Sequence, residues 1–414
     1  MEKTVSEISL SEAIENLKDE YVNIWRDTED SCPCLDMTYS RGEQSEKEKE
    51  LDKRIKKLTK ELKVSPVSEE KKIIWRDKIK WAAREIGGSF FGFKEDETSR
   101  RVLDEFSRSA EDFIKEARLF NPDMSLEDIN QAIRNLWIAN SIQNMLDIRI
   151  GLTPSIFAYS MLYPYTDNFL DDPYVTAIQK KEINARFKKR LAGEHILPGN
   201  SYEDALFRLI EMIESEYSRE AYPKLFDSLL GIHKAQEKSL LQHVLHREMS
   251  VEDIIDISFE KGGTSVLADA FLADGRLSWK NVSFMFGFGV FLQLIDDAED
   301  SFEDLKNGHM TIFSQLAGNG KLDEVTNKLF HFIDKVMDGQ DGEGLPNLGK
   351  LKDIIRNNSY FLILEAVAKN SSAYSASYVK EMERFSPYSF SFLLKMKKKL
   401  RKQYHLFDLK KIEV

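Results

Sequence analysis

One stretch, residues 282–301, limits the fold of this chain more than any other. Fourteen largely apolar residues run from Val282 to Ile295. The run then ends in acidic residues: Asp296, Asp297, Glu299 and Asp300. An apolar run of this length is too short to span a bilayer, which takes about 20 residues, and too continuous for a helix with one solvent-facing side. It therefore predicts a buried helix that carries carboxylates at its end.

The spacing of these carboxylates indicates a cation. On a helix, Asp296 and Asp300 are four residues apart and share a face, with Asp297 beside them. Carboxylates repel one another and are costly to desolvate, so a cluster at the end of a buried helix calls for a compensating charge. Hard oxygen ligands with little His or Cys nearby favour Mg2+. The alternative interpretation is a solvated acidic face, because the chain has 70 Asp and Glu residues.

Composition narrows the class of protein. With 414 residues and 42% hydrophobic content, the chain can form one large or two ordinary domains with a sizeable core. A net charge of -11 argues against nucleic acid as a partner and favours a small molecule. The polar start, Met1 to Glu15, predicts no targeting segment, so a soluble, cytoplasmic protein is expected. Cys32 and Cys34 are too few for a disulfide framework and are interpreted as reduced.

Helical periodicity recurs along the chain with little strand signal, which predicts an all-α protein. Ser125 and Ser250, each followed by acidic residues, are typical helix N-caps. We predict a helical N-terminal extension over residues 1–68 and a single large antiparallel helical bundle over residues 69–414. Within the extension, an apolar seam predicts a short helix packed on its own protein rather than a coiled coil. The seam consists of Leu51, Ile55, Leu58 and Leu62.

A second set of acidic residues follows the same order. An apolar helical stretch, Ile156 to Tyr165, is followed by Asp167 and Asp171, which share a helical face, and by Asp172. We call Asp167, Asp171 and Asp172 the first acidic cluster, and Asp296, Asp297 and Asp300 the second acidic cluster. Helical bundles build metal sites from facing helices. The two clusters are therefore candidates to hold Mg2+ between them, with coordination positions left for the phosphate oxygens of a substrate.

Basic residues suited to phosphate lie between and after the clusters. Lys261 precedes two glycines, which we interpret as a helix interruption or kink that turns the lysine toward phosphate oxygens. Lys306 and His309 follow Asp300 by about two turns and also suit an anion. Considered alone, Lys261 is better explained as a solvated lysine at a simple helix bend, and Lys306 and His309 are unremarkable.

These residues resemble a known family. The run Phe291-Leu-Gln-Leu-Ile-Asp-Asp-Ala-Glu-Asp300, followed by Asp304-Leu-Lys-Asn-Gly-His-Met-Thr311, is similar to the second aspartate-rich region of trans-prenyltransferases and related class I isoprenoid synthases. The stretch Asp167 to Asp172 resembles their first aspartate-rich region, and Lys261-Gly-Gly-Thr resembles their Lys-Thr helix break. The resemblance covers roughly residues 137–317.

The resemblance implies an isoprenoid synthase bundle. Mg2+ on both acidic helix ends would grip the diphosphate of an allylic isoprenoid, with Lys261 and Lys306 in catalytic roles. Lys261, Lys306 and His309 would bind the substrate. The chemistry implied is ionisation, in which metal ions and basic side chains stabilise the departing pyrophosphate and an apolar cavity holds the carbocation.

Departures from the family pattern favour one subtype. Prenyl-chain elongases carry a Gly-Lys-Arg element where this chain has Ile86-Gly-Gly-Ser-Phe90, and an Arg pair where it has Pro173 to Gln179. This chain therefore lacks the basic residues that would bind the diphosphate of a second substrate. We predict a terpene synthase, a carbon–oxygen lyase that acts on one linear prenyl diphosphate, similar to the large bacterial type. The alternatives are a prenyltransferase, either chain-elongating or head-to-head, and a non-catalytic helical lipid-binding or interaction protein of the same fold.

Two remaining features have simple interpretations. His243 and His246, three residues apart on one helix without a third nearby ligand, are interpreted as surface residues. The basic tail from Lys395 to Lys402 is compatible with a solvated helix end or with peripheral contact to an anionic membrane. The sequence leaves the oligomeric state open between a monomer and a homodimer.

Overall fold

The computed structural model describes residues 8–403 with several gaps. The gaps are residues 36, 64, 65, 67, 69, 73, 76, 77, 79–96, 173, 244–248, 319 and 340–344. Every regular element within the described ranges is helical, so the predicted all-α class is confirmed. No helix among these residues is long and apolar enough to cross a membrane.

The helices account for most of the described chain. In chain order the α-helices are α1 (Leu10–Arg26), α2 (Arg41–Leu62), α3 (Glu97–Phe120), α4 (Leu126–Met145), α5 (Pro154–Asp171), α6 (Ala177–Leu191), α7 (Ser201–Glu216), α8 (Pro223–Ser239), α9 (Val251–Asp274), α10 (Trp279–Glu299), α11 (Ser301–Asn307), α12 (Ile312–Ala317), α13 (Asp323–Asp338), α14 (Leu348–Lys369), α15 (Ala376–Phe385) and α16 (Phe390–Gln403). Short 3-10 helices follow α8 and α14, at Leu240–His243 and Ser371–Ala373.

Local signals determine where many helices begin. Ser125 accepts a hydrogen bond from the Asp128 backbone N–H at 3.0 Å, and Ser250 accepts one from the Asp253 N–H at 3.1 Å. Both side chains act as the N-caps that the sequence predicted, because a serine oxygen satisfies a backbone donor that has no partner within the helix. The acidic end of the stretch at residues 282–301, for which the sequence predicted one continuous helix, is instead divided at Asp300 between α10 and α11.

The chain forms two compact units. The first unit comprises residues 1–27, 105–293 and 335–351, and the second comprises residues 28–104, 294–334 and 352–414. Helix α1 belongs to the first unit and α2 to the second, and the division into residues 1–68 and 69–414 stays a prediction. The two units are considered separately below.

In the first unit, α9 is the central helix. It packs against α1, α4, α5 and α8, while α5 also packs against α4 and α7. The side chains of α1 contribute directly to this core. The Tyr21 hydroxyl donates to the Ser283 carbonyl at 2.9 Å, and the Trp25 ring packs edge-on against Phe259. Because these rings fill core positions, α1 is part of the packing of the first unit.

In the second unit, α2 packs through the seam that the sequence identified. Leu51, Ile55 and Leu58 are buried within the chain. Polar contacts fix the same helix, since the Gln44 side-chain amide donates to the carbonyls of Glu383 and Ser386 at 2.8 and 3.0 Å. These three seam residues are therefore buried by contacts within this chain, as predicted, and the side chain of Leu62 lies outside the described residues.

Candidate metal centre

The first acidic cluster lies at the end of α5. Thr153 caps the start of the helix and Pro154 occupies its first position, where a missing N–H has no consequence. Residues 155–162 are then buried, which places the polar end of α5 at the edge of the first unit. Asp167 lies in the last turns of α5, Asp171 is its final residue and Asp172 is its C-cap. The side chain of Asp171 lies outside the described part of the structure.

Each described carboxylate of the first cluster accepts a hydrogen bond from an amide group. The Gln131 side-chain amide donates to Asp167 Oδ2 at 3.1 Å, and the Tyr174 backbone N–H donates to Asp172 Oδ1 at 2.8 Å. Burial and then the charge of Asp167 raise the pKa of Tyr202 above its usual value. The Tyr202 hydroxyl therefore stays protonated, and it donates a hydrogen bond to the Tyr165 carbonyl oxygen at 3.0 Å.

The second acidic cluster lies at the end of α10 and differs from residue to residue. Asp296 is exposed, Asp297 is only 2% exposed and Asp300 is intermediate. The Lys369 ammonium lies 2.7 Å from Asp300 Oδ1. Asn370 donates to the last carbonyls of α10, Ala298 and Glu299, at 2.9 Å each, which satisfies acceptors that a helix end leaves open. These contacts fix the end of α10 against the residues that follow α14.

A second lysine neutralises the acidic residue between Asp297 and Asp300. Lys397 Nζ lies 3.2 Å from Glu299 Oε1 and 3.2 Å from Glu365 Oε2. Glu365 is 5% exposed, and its burial raises the pKa of its carboxyl, an effect that Lys397 partly offsets. Lysines of α14 and α16 thus balance part of the negative charge at this helix end.

The predicted helix interruption after Lys261 is absent. Helix α9 runs unbroken through Gly262 and Gly263. A Cβ at Gly262 would lie 2.5 Å from the Gly289 carbonyl oxygen, and a Cβ at Gly263 would lie 2.5 Å from the Phe286 ring. The glycines therefore permit a close crossing of α9 and α10 rather than a kink. Lys261 is partly exposed and makes no ion pair with any described residue.

Lys306 and His309 flank a tight turn. Lys306 is exposed in the last turn of α11, and Gly308 adopts a positive φ of 70° directly after that helix. The turn brings His309 Nδ1 to 3.1 Å from Asp304 Oδ1, while the His309 backbone N–H donates to the Asp304 carbonyl at 2.8 Å. Asp304 thus orients the imidazole. Thr311 then starts α12 with a capping box.

The predicted site residues are divided between the two units. Asp167, Asp171, Asp172 and Lys261 belong to the first unit, and Asp296, Asp297, Asp300, Lys306 and His309 belong to the second. Among the described residues, no group of three or more His, Cys, Asp or Glu side chains is arranged to hold a metal ion. The donor set nevertheless consists of carboxylate oxygens, the ligand type that Mg2+ prefers, so the residues fit this ion chemically. Mg2+ binding stays a prediction.

The first unit also contains a buried acid that sequence reasoning missed. Asp269 of α9 is fully buried, and the Asn135 side-chain amide donates to its Oδ1 at 3.0 Å and to Ser160 Oγ at 3.1 Å. Asp269 Oδ2 has no hydrogen-bond partner among the described residues. Burial raises the pKa of Asp269 well above its usual value, and the Asn135 contact only partly opposes this effect. The sequence signal was an acid inside the apolar run from Val266 to Leu272.

A buried histidine was missed as well. His233 of α8 lies at the four-residue spacing of Leu225 and Leu229, and its side chain packs edge-on against Phe187. It lines two small cavities of about 20 and 30 Å3 between α5, α6 and α8. His243, by contrast, is exposed as expected, and His246 lies outside the described residues. Helical periodicity was the signal that could have identified His233 as an inward-facing residue.

No protein-family model matches this chain, and no curated protein or solved structure matches it.

Proposed function

We propose that this protein is a Mg2+-dependent terpene synthase that ionises a linear prenyl diphosphate, releases pyrophosphate and forms a hydrocarbon or cyclic terpene. One observation carries the proposal. Two buried apolar helices, α5 and α10, each end in a set of carboxylates. Carboxylates at the ends of apolar helices place metal ligands beside an apolar surface. A prenyl diphosphate requires both, because its diphosphate end binds metal ions and its prenyl end is apolar.

The chain's own residues have distinct tasks in this proposal. The first and second acidic clusters would hold Mg2+. When bound, Mg2+ neutralises the diphosphate and stabilises the departing pyrophosphate. Lys261 and Lys306 donate to the phosphate oxygens while the carbon–oxygen bond breaks and its electron pair leaves with pyrophosphate. His309, oriented by Asp304, provides another donor to the same anion.

Aromatic side chains surround the part of α5 that precedes the first acidic cluster. Tyr159, Tyr163 and Phe169 of α5 line cavities that adjoin the helix end bearing Asp167. The faces of aromatic rings attract cations electrostatically, and an apolar lining excludes water from a reactive intermediate. The two cavities are themselves too small for a prenyl chain, so the rings support the proposal as an apolar wall beside Asp167.

The alternatives are separated by one experiment. Purified full-length protein is incubated with Mg2+ and linear prenyl diphosphates of increasing chain length, and released pyrophosphate and extracted products are measured. A terpene synthase consumes one prenyl diphosphate alone. A requirement for isopentenyl diphosphate would indicate a prenyltransferase instead, and binding without pyrophosphate release would indicate a non-catalytic lipid-binding protein.

The partners in this proposal are small molecules. Exposed Lys395 and Lys398 on α16 also suit peripheral contact with an anionic membrane, from which an amphiphilic substrate can be taken up. A homodimer and a cytoplasmic location are compatible with the proposal. Sedimentation of the protein with vesicles of anionic lipid, compared with neutral vesicles, tests the membrane contact.

A further inference from the structure

The two cysteines of this chain flank one proline in the loop between α1 and α2. Cys32 and Cys34 are exposed and have free thiols, whereas Pro33 between them is buried. A residue that precedes proline favours an extended backbone, and alternate residues of an extended chain point to the same side. Both thiols therefore lie on the outer side of the loop. We call Cys32 and Cys34 the cysteine pair.

Side chains of the second unit hold the loop just before the cysteine pair. The Asn327 side-chain amide donates to the Asp30 carbonyl at 2.9 Å, and His331 Nε2 donates to the Ser31 carbonyl at 2.9 Å. The Tyr378 hydroxyl in turn donates to Asn327 Oδ1 at 2.8 Å, and both of these side chains are buried. The loop is therefore positioned by folding, and a ligand that binds there does not have to order it.

The spacing of the cysteine pair suits a bridging ion better than a disulfide. Residues two apart in an extended chain have Cα atoms about 6.4–6.8 Å apart, and side chains on the same side start from a similar separation. A disulfide requires Cβ atoms about 3.5–4.5 Å apart. Two metal–sulfur bonds of about 2.3 Å, the zinc–thiolate length, separate the sulfur atoms by up to about 4.6 Å, which rotation about the Cα–Cβ bonds can provide. The pair can therefore share one ion without a change in the backbone.

The surroundings of the cysteine pair favour a positively charged ligand. Partial burial raises the pKa of the Cys32 thiol, and the negative charges of Glu381 and of the Cys34 thiolate raise it further. The two sulfur atoms are thus close enough to oppose each other's ionisation. A cation bound to both sulfur atoms removes this repulsion, because metal binding replaces both protons.

The number of thiols selects among the soft cations. Thiolate ligands favour Cu+ and Zn2+ over the harder ions Mg2+ and Ca2+. Structural zinc sites take four protein ligands, whereas Cu+ forms stable two-coordinate complexes with two thiolates. The chain contains two cysteines in total, so one chain can supply the complete thiolate set for Cu+.

We propose that the cysteine pair binds one Cu+ ion. The site shares no residue with the acidic clusters, and it does not rest on the proposed function. On binding, each sulfur forms one bond to copper and each thiol releases its proton to solvent. Copper stays monovalent throughout, so neither an oxidant nor a reductant takes part in the step. Because the thiols are exposed, the ion can enter from solvent without a change in the fold.

The experiment measures the transfer of Cu+ from its coloured complex with bicinchoninate to the purified full chain, under a phosphine reductant and without oxygen. The wild type is expected to withdraw one Cu+ per chain. Cys32→Ser and Cys34→Ser should each weaken binding by more than about a hundredfold, because even loss of an outer-sphere partner costs about ten- to a hundredfold in metal affinity. Circular dichroism should show the same helical signal in all of these proteins.

Two variants serve as controls. Ser31→Ala changes the neighbouring side chain and keeps both thiols, so it should bind Cu+ like the wild type. The double variant Cys34→Ser/Leu35→Cys keeps two thiols but places them three residues apart. Its second thiol no longer lies on the same side of an extended chain, so its affinity should fall as in the single variants.

One ion per chain that requires both cysteines at their natural spacing supports the site. Failure of the wild type to withdraw Cu+ from the complex, or unchanged binding in Cys32→Ser/Cys34→Ser, overturns it. One ion per two chains would show that copper bridges two molecules and would also overturn it. Displacement of Cu+ by an equal concentration of Zn2+ would reject the assignment of the ion. None of these outcomes depends on pyrophosphate release, so the proposed function is tested separately.

Discussion

The two acidic clusters end similar helices but are held in different ways. In the first unit, neutral groups contact the described carboxylates, namely the Gln131 amide at Asp167 and a backbone N–H at Asp172. In the second unit, lysine ammonium groups contact Asp300 and the adjacent Glu299. A neutral donor orients a carboxylate without removing its charge, whereas a lysine offsets that charge.

The lysine gives the second cluster a feature of its own. The Asp300 end of α10 already has a cation 2.7 Å away, whereas the Gln131 amide that donates to Asp167 carries no charge. An incoming Mg2+ must compete with Lys369 for Asp300, because one oxygen already serves an ion pair. We therefore expect Lys369 to weaken Mg2+ binding at the second acidic cluster until a substrate diphosphate draws the lysine away.

The largest expected effect comes from removing a carboxylate from either cluster. Asp167→Ala and Asp296→Ala should each lower Mg2+-dependent pyrophosphate release by at least about a thousandfold, because a lost ligand removes charge stabilisation of the leaving group. Circular dichroism should show an unchanged helical signal in both variants.

Asp123→Ala is the matched control, since Asp123 is an exposed carboxylate outside both clusters. Full activity in the Asp167 or Asp296 variant, or in the wild type with excess chelator, would contradict the assignment of these residues as metal ligands. Loss in only one of the two variants would mean that a single cluster carries the metal.

A smaller effect is expected from Lys261. Loss of one charge-assisted contact to phosphate costs about 1.5–3 kcal/mol, so Lys261→Ala should slow turnover at saturating Mg2+ roughly ten- to a hundredfold. The exposed Lys181 of α6 offers a matched control for removal of a lysine from the same unit. Wild-type kinetics in Lys261→Ala would show that this residue is a solvated lysine on a straight helix.

The burial of His233 in the first unit can be tested through pH. The pKa of His233 is depressed to about 4 in the folded state, below the value of about 6.5 of an unfolded chain. As the pH falls, His233 therefore becomes protonated in the unfolded state at a higher pH than in the folded state. The free energy of unfolding is highest above about pH 6.5 and decreases as the pH falls toward 4. Between pH 7 and pH 5, the free energy of unfolding should drop by about 2 kcal/mol from this group alone.

His233→Gln should lack that part of the pH dependence in chemical denaturation curves measured at both pH values. The neighbouring charges of Glu237 and Lys188 remain in this variant, so the difference from the wild type isolates the imidazole. An equal loss of stability in both proteins would indicate that other groups titrate and that the His233 pKa is close to normal.

The smallest effect concerns Lys369 and sharpens the comparison directly. Lys369→Met removes the cation beside Asp300. Because an exposed ion pair contributes about 1 kcal/mol or less, the Mg2+ concentration at half-maximal activity should fall several-fold. Gln131→Leu removes only a neutral donor from Asp167 and should leave this concentration nearly unchanged. Equal shifts in the two variants, measured by Mg2+ titration of pyrophosphate release, would erase the distinction between the clusters.

Sequence patterns predicted where helices begin better than they predicted how helices pack against one another in the interior. Ser125 and Ser250 act locally, so their capping role could be read directly from neighbouring residues. The break at Asp300 was missed because Asp300 still donates its backbone N–H to the Asp296 carbonyl, and the acidic run reads as continuous helix. Helix propensity does not indicate how closely Gly262 approaches the backbone of another helix. The interior positions of His233 and Asp269 depend on long-range packing as well as on periodicity.

The crossing of α9 and α10 has a consequence for how this chain can diverge. A side chain at Gly262 would collide with the Gly289 backbone, and one at Gly289 would collide with the Gly262 backbone in return. Neither position can therefore be enlarged first and compensated at the other, because the obstacle at each is main chain and cannot be replaced. Descendants and relatives that keep this crossing must keep glycine at both positions together, even where their acidic residues differ.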